Sequence, residues 1–218
     1  MFGRTTKMNI AILGTGNIGS GLAKTFAGSR HGVVVAGRAA EDAKTLAESL
    51  KTGGQQVQAA DISTAVGLAD VVILAVPFGA VEEIAKSADF TGKIVVDVTN
   101  PVKDDFSGIT VGFESSAAEE INAALPGVRV VKAFNTVFAQ VYDAGLDFGG
   151  QSVPTFVASD DEDAKAKVIN MARDAGFAPE DAGPLSNARY IEPLGYLNIQ
   201  FGYMLGRGTQ IAPAWLSR

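Results

Sequence analysis

The sequence predicts an α/β chain, a doubly wound parallel sheet with a small carboxy-terminal α/β extension. Three observations predict it. Short, continuously apolar runs alternate with stretches of helical spacing, as strands buried on both faces by crossover helices require. A glycine-rich turn, GTGNIG at 14–19, joins the first run to the first amphipathic stretch. Finally, 218 residues that are 47% hydrophobic with 25 glycines suit one large core with many tight turns.

Each element follows in order. MNIAIL (8–13) is the first strand, and IGSGLAKTFAGS continues it as a helix. VVVA (33–36) precedes a helix from about Ala40 to Leu50, with Ala43, Leu46, Ala47 and Leu50 on one face. VQAA (57–60) is a weaker third strand, and Asp61 and Ser63 are candidate caps for the short helix before the strand DVVILAV (70–76). Pro77 suits the first turn of a helix to about Ser87, because a first-turn N–H has no partner to lose. KIVVDVT (93–99) is the fifth strand, ended by Asn100-Pro101. A helix from about Ser115 to Ala124 leads to VRVVKAF (128–134), the sixth. Residues 135–152 read as loop, VPTFVAS (153–159) as a strand, and Asp160 to Ala175 as a helix whose acidic start suits its dipole. The aromatic and leucine-rich tail from Asn187 to Gly206 reads as a helix closing one side of the sheet.

Composition excludes several function classes. Eighteen basic against 24 acidic residues, a net charge of −6, argue against a nucleic-acid or anionic-membrane surface. Without cysteine there is no disulfide, thiolate metal site or thiol nucleophile, and one histidine rules out a histidine metal cluster. MFGRTTKMN has no apolar leader core, and no run approaches the roughly 20 apolar residues of a membrane span. The expectation is a cytoplasmic protein with no nucleic-acid or membrane partner.

Gly14-Thr15-Gly16-Asn17-Ile18-Gly19 is an intact G-x-G-x-x-G between a strand and a helix, the context in which that pattern signals a Rossmann-type dinucleotide site. Gly14 allows the tight turn, Gly16 lets backbone approach a pyrophosphate, and Gly19 lets helix and strand pack closely. Free N–H groups at the helix start then face the phosphates. Residues 8–136 are accordingly read as the dinucleotide-binding domain, and 137–218 as an extension continuous with it that closes the active-site cleft. An NAD enzyme keeps an acid about 20 residues past the glycines, on the ribose 2′-OH. Here Arg38 occupies that place. A guanidinium pairs with a 2′-phosphate in a bidentate fork, Gly37 leaves it room, and Thr15 adds a hydroxyl, so the sequence favours NADP(H). The competing readings are a glycine turn without ligand and a solvated arginine; Glu41 and Asp42 weigh toward the latter.

With these pieces placed, the chain resembles the NADPH-dependent coenzyme F420 reductases, and is similar to the NADPH-binding domain of the STEAP metalloreductases. The resemblance spans 8–216 and rests on GTGNIGSGLA (14–23), VVVAGR (33–38), VVILAVP (71–77), KIVVDVTNP (93–101), VVKAFNT (130–136), VPTFVASDDEDAK (153–165) and AGPLSNARYIEPL (182–194). It implies Thr15 and Arg38 at the adenosine phosphate and Ile18 beside the pyrophosphate, next to Asn17. It implies Ala75, Val76 and Pro77 where the cofactor crosses the strand ends. Asn100 with Pro101 and Ala133 with Asn135 would line the nicotinamide pocket. It also implies F420, or FMN or FAD, as second cofactor or substrate.

Hydride transfer between two planar rings needs them stacked at near-attack distance and demands no acid/base pair of the protein, and none stands out. His31, between a helix and the second strand, reads as structural or solvent-facing, and Lys132 as an ion-pair or solvated residue. Asn135 is either a carboxamide partner or a turn cap, and Asn100-Pro101 either pocket or strand stop, with a cis bond as one option. Tyr190, Tyr196, Phe201, Tyr203 and Trp215 either wall a ring pocket or serve core or dimer interface. The leading function is hydride transfer between NADPH and F420 or a flavin, by a homodimer acting on a small-molecule redox substrate. The alternatives are reduction of a small carbonyl or imine, and a non-catalytic NADP(H)-binding module.

Overall fold

The computed structural model describes residues 6–52 and 56–216; residues 1–5, part of the segment read for a leader, lie outside it. Six parallel strands form the main sheet in the order β3-β2-β1-β4-β5-β6. They are β1 (Asn9–Leu13), β2 (Gly32–Ala36), β3 (Val57–Ala59), β4 (Val71–Leu74), β5 (Ile94–Asp97) and β6 (Arg129–Lys132). Their starts are level, with Ile10 opposite Val33 and Val71, and Ile94 opposite Val71 and Arg129.

Alternate residues of the apolar runs feed two cores, which is why these strands carry no polar face. Ile10, Ile12, Val33 and Val35 pack with α1 (Asn17–Ala27), α2 (Ala40–Thr52), α6 (Ala139–Ala144) and α7 (Glu162–Asp174). Ala11, Leu13, Val34 and Ala36 pack with α3 (Ile62–Leu68), α4 (Val81–Ala85), α5 (Ala117–Ala124) and the start of α8 (Ala188–Ile199). A parallel pair, β7 (Pro154–Val157) and β8 (Ala178–Asp181), forms a second sheet. It joins the first where Ala158 and Lys132 exchange backbone hydrogen bonds of 3.0 and 2.8 Å.

The helix starts bear out the sequence rules in detail. Asp61, not Ser63, caps α3 by accepting the Thr64 N–H at 2.9 Å. Asp161 caps α7, and Ser116 caps α5. Two local expectations need correction. The stretch after Pro77 is a 3-10 turn, Phe78–Ala80, running into the single-turn α4. Residues 135–152 contain α6, whose AQVYDA buries Val141 and Tyr142 although it is too short to show a period. Ala178–Asp181 pairs as strand β8 beside β7, although Pro179 and two acids hide it in the sequence. The tail begins as a 3-10 turn, becomes α8, whose Ala188 packs in the core shared with α5, and ends as one π-turn, Gln200–Met204.

Candidate active site

The strand order reverses between β1 and β4, and in open sheets that is where a crevice opens beyond the carboxyl ends. Gly14 takes φ +123° there, and any Cβ on it would collide with the Ala75 carbonyl oxygen; a Cβ on Gly19 would collide with the Gly14 carbonyl oxygen. These two glycines weld β1, α1 and β4 together. Gly16 differs, because a Cβ there would meet nothing within 4 Å. It is also the N-cap of α1 and offers no side chain to the free N–H groups, whereas α3, α5 and α7 are capped by their own Asp61, Ser116 and Asp161. The start of α1 is left with its positive end unanswered.

A cleft of about 430 Å³ opens from this point. Gly16, Asn17, Ile18, Ala75, Val76, Pro77, Asn100 and Asn135 all line it. Gly14 and Gly19 support it from behind, and Pro101 and Ala133 are buried next to lining residues, the Ala133 N–H being held by the Asp97 carbonyl at 3.1 Å. Thr15, Gly37 and Arg38 stand together outside the cleft: a Cβ on Gly37 would press on Thr15 Cγ2 at 3.2 Å, and Arg38 is exposed. Among the described residues Arg38 has no ion-pair or hydrogen-bond partner.

The deep end is built from side chains. Phe134 has φ +61°, a strained value for so bulky a residue, held by its N–H on Thr155 Oγ1 (2.8 Å) and by rings Phe26 and Phe177. This turn directs the chain after β6 into the cleft. Asn135 Nδ2 donates to Asn100 Oδ1 (2.9 Å) and to the Ile191 carbonyl (3.1 Å), and Asn100 Nδ2 donates to the Asn135 carbonyl (2.8 Å). The Asn135 side chain therefore caps no turn; Asn100 lines the cleft, Pro101 lies behind it, and the bond between them is trans. Gly195 of α8 lies on the pair, where a Cβ would sit 2.8 Å from Asn100 Oδ1. Thr99 Oγ1, Asn135 Oδ1 and Thr136 Oγ1 are buried, line this end and have no protein partner. Of the five tail aromatics only Tyr203 lines the cleft, edge-on to Phe138. Tyr196 instead donates to the Phe106 carbonyl at 2.8 Å, Phe201 stacks under Arg207, Trp215 meets Phe156, and Tyr190 is exposed.

Beneath the Asn pair lies a group that sequence reasoning did not assemble. Lys132 is fully buried and donates to Asp97 Oδ2 (2.7 Å), Glu192 Oε1 (2.8 Å) and the Thr99 carbonyl (2.5 Å). Glu192 also accepts the Ala117 and Ala118 N–H groups of α5 at 2.9 and 3.1 Å. Burial pushes the Glu192 carboxyl above its usual range, and the Lys132 ammonium pulls it back. The one available signal was that IVVD and RVVK each end a buried strand in a charge, and the register sets Asp97 opposite Lys132.

His31 plays no part in the cleft; it is buried at the far end, accepting the Met8 N–H on Nδ1 at 3.2 Å with Nε2 3.4 Å from Asp174. Among the described residues no cluster of three or more acids or histidines could hold a metal, and no helix is long and apolar enough to cross a membrane.

A family model described as NADP oxidoreductase coenzyme F420-dependent matches residues 9–101. The F420-dependent NADP reductase of Methanothermobacter marburgensis is 33% identical over 207 residues, covering 86% of this chain and 89% of that protein. The chain belongs to the F420-dependent NADP oxidoreductase family. Metalloreductase STEAP3 of Rattus norvegicus is also 33% identical over 85% of the chain, which spans only 36% of that longer protein. The crystal structure of a candidate F420-dependent NADP reductase from Arthrobacter sp. FB24 superposes with a TM-score of 0.80 at 26% identity, over 93% of this chain and 96% of that one. Its fold is thus the Rossmann-type sheet expected from the glycine motif.

Proposed function

We propose that this protein is an NADP(H)-dependent oxidoreductase that passes hydride between NADPH and a deazaflavin such as F420, with FMN or FAD as the alternative ring. The observation that carries the reading is one cleft with two unsatisfied ends. An uncapped helix start stands at one end and three partnerless buried polar atoms at the other.

The residues fit an NADP(H) molecule along that line. The first N–H groups of α1, at Asn17 and Ile18, would hold the pyrophosphate, with Gly16 giving the space a side chain would fill. Thr15 and Arg38 would hold the 2′-phosphate, Gly37 leaving room beside Thr15. Ala75, Val76 and Pro77 would carry the cofactor across the strand ends, and Asn100, Pro101, Ala133 and Asn135 would frame the nicotinamide. Asn135 Oδ1 can accept a carboxamide N–H, and the Thr99 and Thr136 hydroxyls can donate to its oxygen. When bound, the dihydronicotinamide supplies the hydride and the acceptor ring receives it. The protein's share is orientation and exclusion of water: Pro77, Phe78, Phe106, Phe138 and Tyr203 wall the cleft with apolar surface. The exposed Leu197, Met204, Leu205 and Trp215 support a homodimer formed through the carboxy-terminal region, to be checked by light scattering.

The test follows NADPH oxidation with F420, FMN, FAD and a cyclic imine in turn, in the wild type and in Arg38→Ala. Turnover of a deazaflavin or flavin is expected. The variant should lose about tenfold or more in NADPH affinity, the worth of a charge-assisted pair, and keep its NADH affinity. Turnover of the imine alone, or tight NADPH binding with no acceptor reduced, would reject the reading.

A further inference from the structure

Lys132 ties together three separate pieces of chain. Its own strand, β6, leads within three residues to Asn135. Its bond to the Thr99 carbonyl holds the residue before Asn100. Its bond to Glu192 holds α8 one turn before Gly195, the position that touches both asparagines. These are the three pieces whose spacing sets the Asn100–Asn135 pair, and the pair in turn fixes the two asparagines in the cleft wall.

The chemistry of the cluster suits a spacer. All three charged side chains are at most 1% exposed, so no water can substitute for a missing partner. Every polar contact is assigned: Asp97 Oδ1 accepts the Thr99 N–H at 2.8 Å, and Glu192 bridges from Lys132 to the start of α5. Desolvating an ammonium and two carboxylates yields little net stability against an apolar core of equal volume. A tripod of short charge-assisted bonds does hold its three anchors at one separation, which an apolar side chain cannot do.

We propose that Lys132 is a positioning residue of the nicotinamide end: through the Thr99 carbonyl and Glu192 it sets α8 and the ends of β5 and β6 at the spacing that holds the Asn100–Asn135 pair. This rests on the NADP(H) reading of the cleft, and the two can fail separately.

Glu192→Gln weakens the link to α8: its amide nitrogen accepts no hydrogen bond, so one oxygen must serve the Lys132 ammonium and the α5 N–H groups, while its size is kept and the Lys132–Asp97 pair stays balanced. Binding is measured with NADPH and with 2′,5′-ADP, a fragment that reaches only the Arg38 end. NADPH affinity should fall about tenfold while 2′,5′-ADP affinity stays within about twofold. Lys132→Met should show the same split. If that variant does not fold, Glu192→Gln alone decides. Unchanged NADPH affinity, or equal loss for both ligands, overturns the proposal. A wild type that binds NADPH no better than 2′,5′-ADP would instead reject the nicotinamide site itself.

Discussion

The two ends of the cleft are built on opposite plans. The α1 end is made of backbone, with glycines welding β1 to β4 and N–H groups left open at a helix start. The β5–β6 end is made of side chains, an asparagine pair standing on a buried ammonium and its two carboxylates. A backbone-made end tolerates any side chain that leaves its atoms alone and fails at once where a Cβ intrudes. A side-chain-made end depends on residues that have no other way to satisfy their charge.

The contrast predicts its own largest effect at the buried end. Lys132→Met leaves Asp97 and Glu192 with an uncompensated charge where neither side chain is more than 1% exposed. The expected cost is about 3–5 kcal/mol of folding stability, read as a drop in the urea midpoint. An unchanged midpoint would mean that the cluster is relieved by solvent, and the two ends would then differ less than the geometry says.

At the other end, two neighbouring glycines should separate cleanly. Gly14→Ala forces a Cβ onto the Ala75 carbonyl at a φ that L residues avoid, costing about 3 kcal/mol of stability. Gly16→Ala meets open space and should leave the melting temperature unchanged while weakening NADPH. If both variants lose stability alike, Gly16 is part of the fold and not of the approach to a phosphate.

The same contrast explains how much could be read from the sequence. The sheet and the α1 end are written in short stretches, because a strand–turn–helix with glycines at 14, 16 and 19 states its geometry within one window. Arg38 and the Asp61 cap are local in the same way. The β5–β6 end draws on residues 97, 132 and 192, joined only after the strands register and α8 folds back. Asp97 and Lys132 at least share a pattern, a charge ending each of two adjacent apolar strands. Glu192 has none, since its position in AGPLSNARYIEPL looks like any solvated helix residue until Ala117 and Ala118 are placed against it. The hydroxyls of Thr99 and Thr136 went unseen for the same reason: being partnerless is a property of the folded site. Short α6 and β8 were lost differently, α6 lacking the length to show a period and β8 carrying Pro179 and two acids.

The smallest expected effect sharpens the comparison by testing a buried ionisable group with no part in the cleft. Met8 donates to His31 Nδ1, so the fold binds the neutral imidazole, and Nε2 is left to face Asp174. Burial lowers the His31 pKa below the usual 6.5, with Asp174 opposing it. The unfolded chain therefore takes up this proton first as pH falls. The contribution to stability is complete above about 6.5 and is lost as pH drops toward the lowered folded value. A single group limits the slope to about 1.4 kcal/mol per pH unit. In urea titrations from pH 7.5 to 5.5, wild type should lose stability relative to His31→Gln, which keeps an acceptor for Met8 but cannot titrate. Parallel curves would show that Asp174 offsets burial in full, and a wild type that gains on the variant as pH falls would show that Asp174 outweighs it.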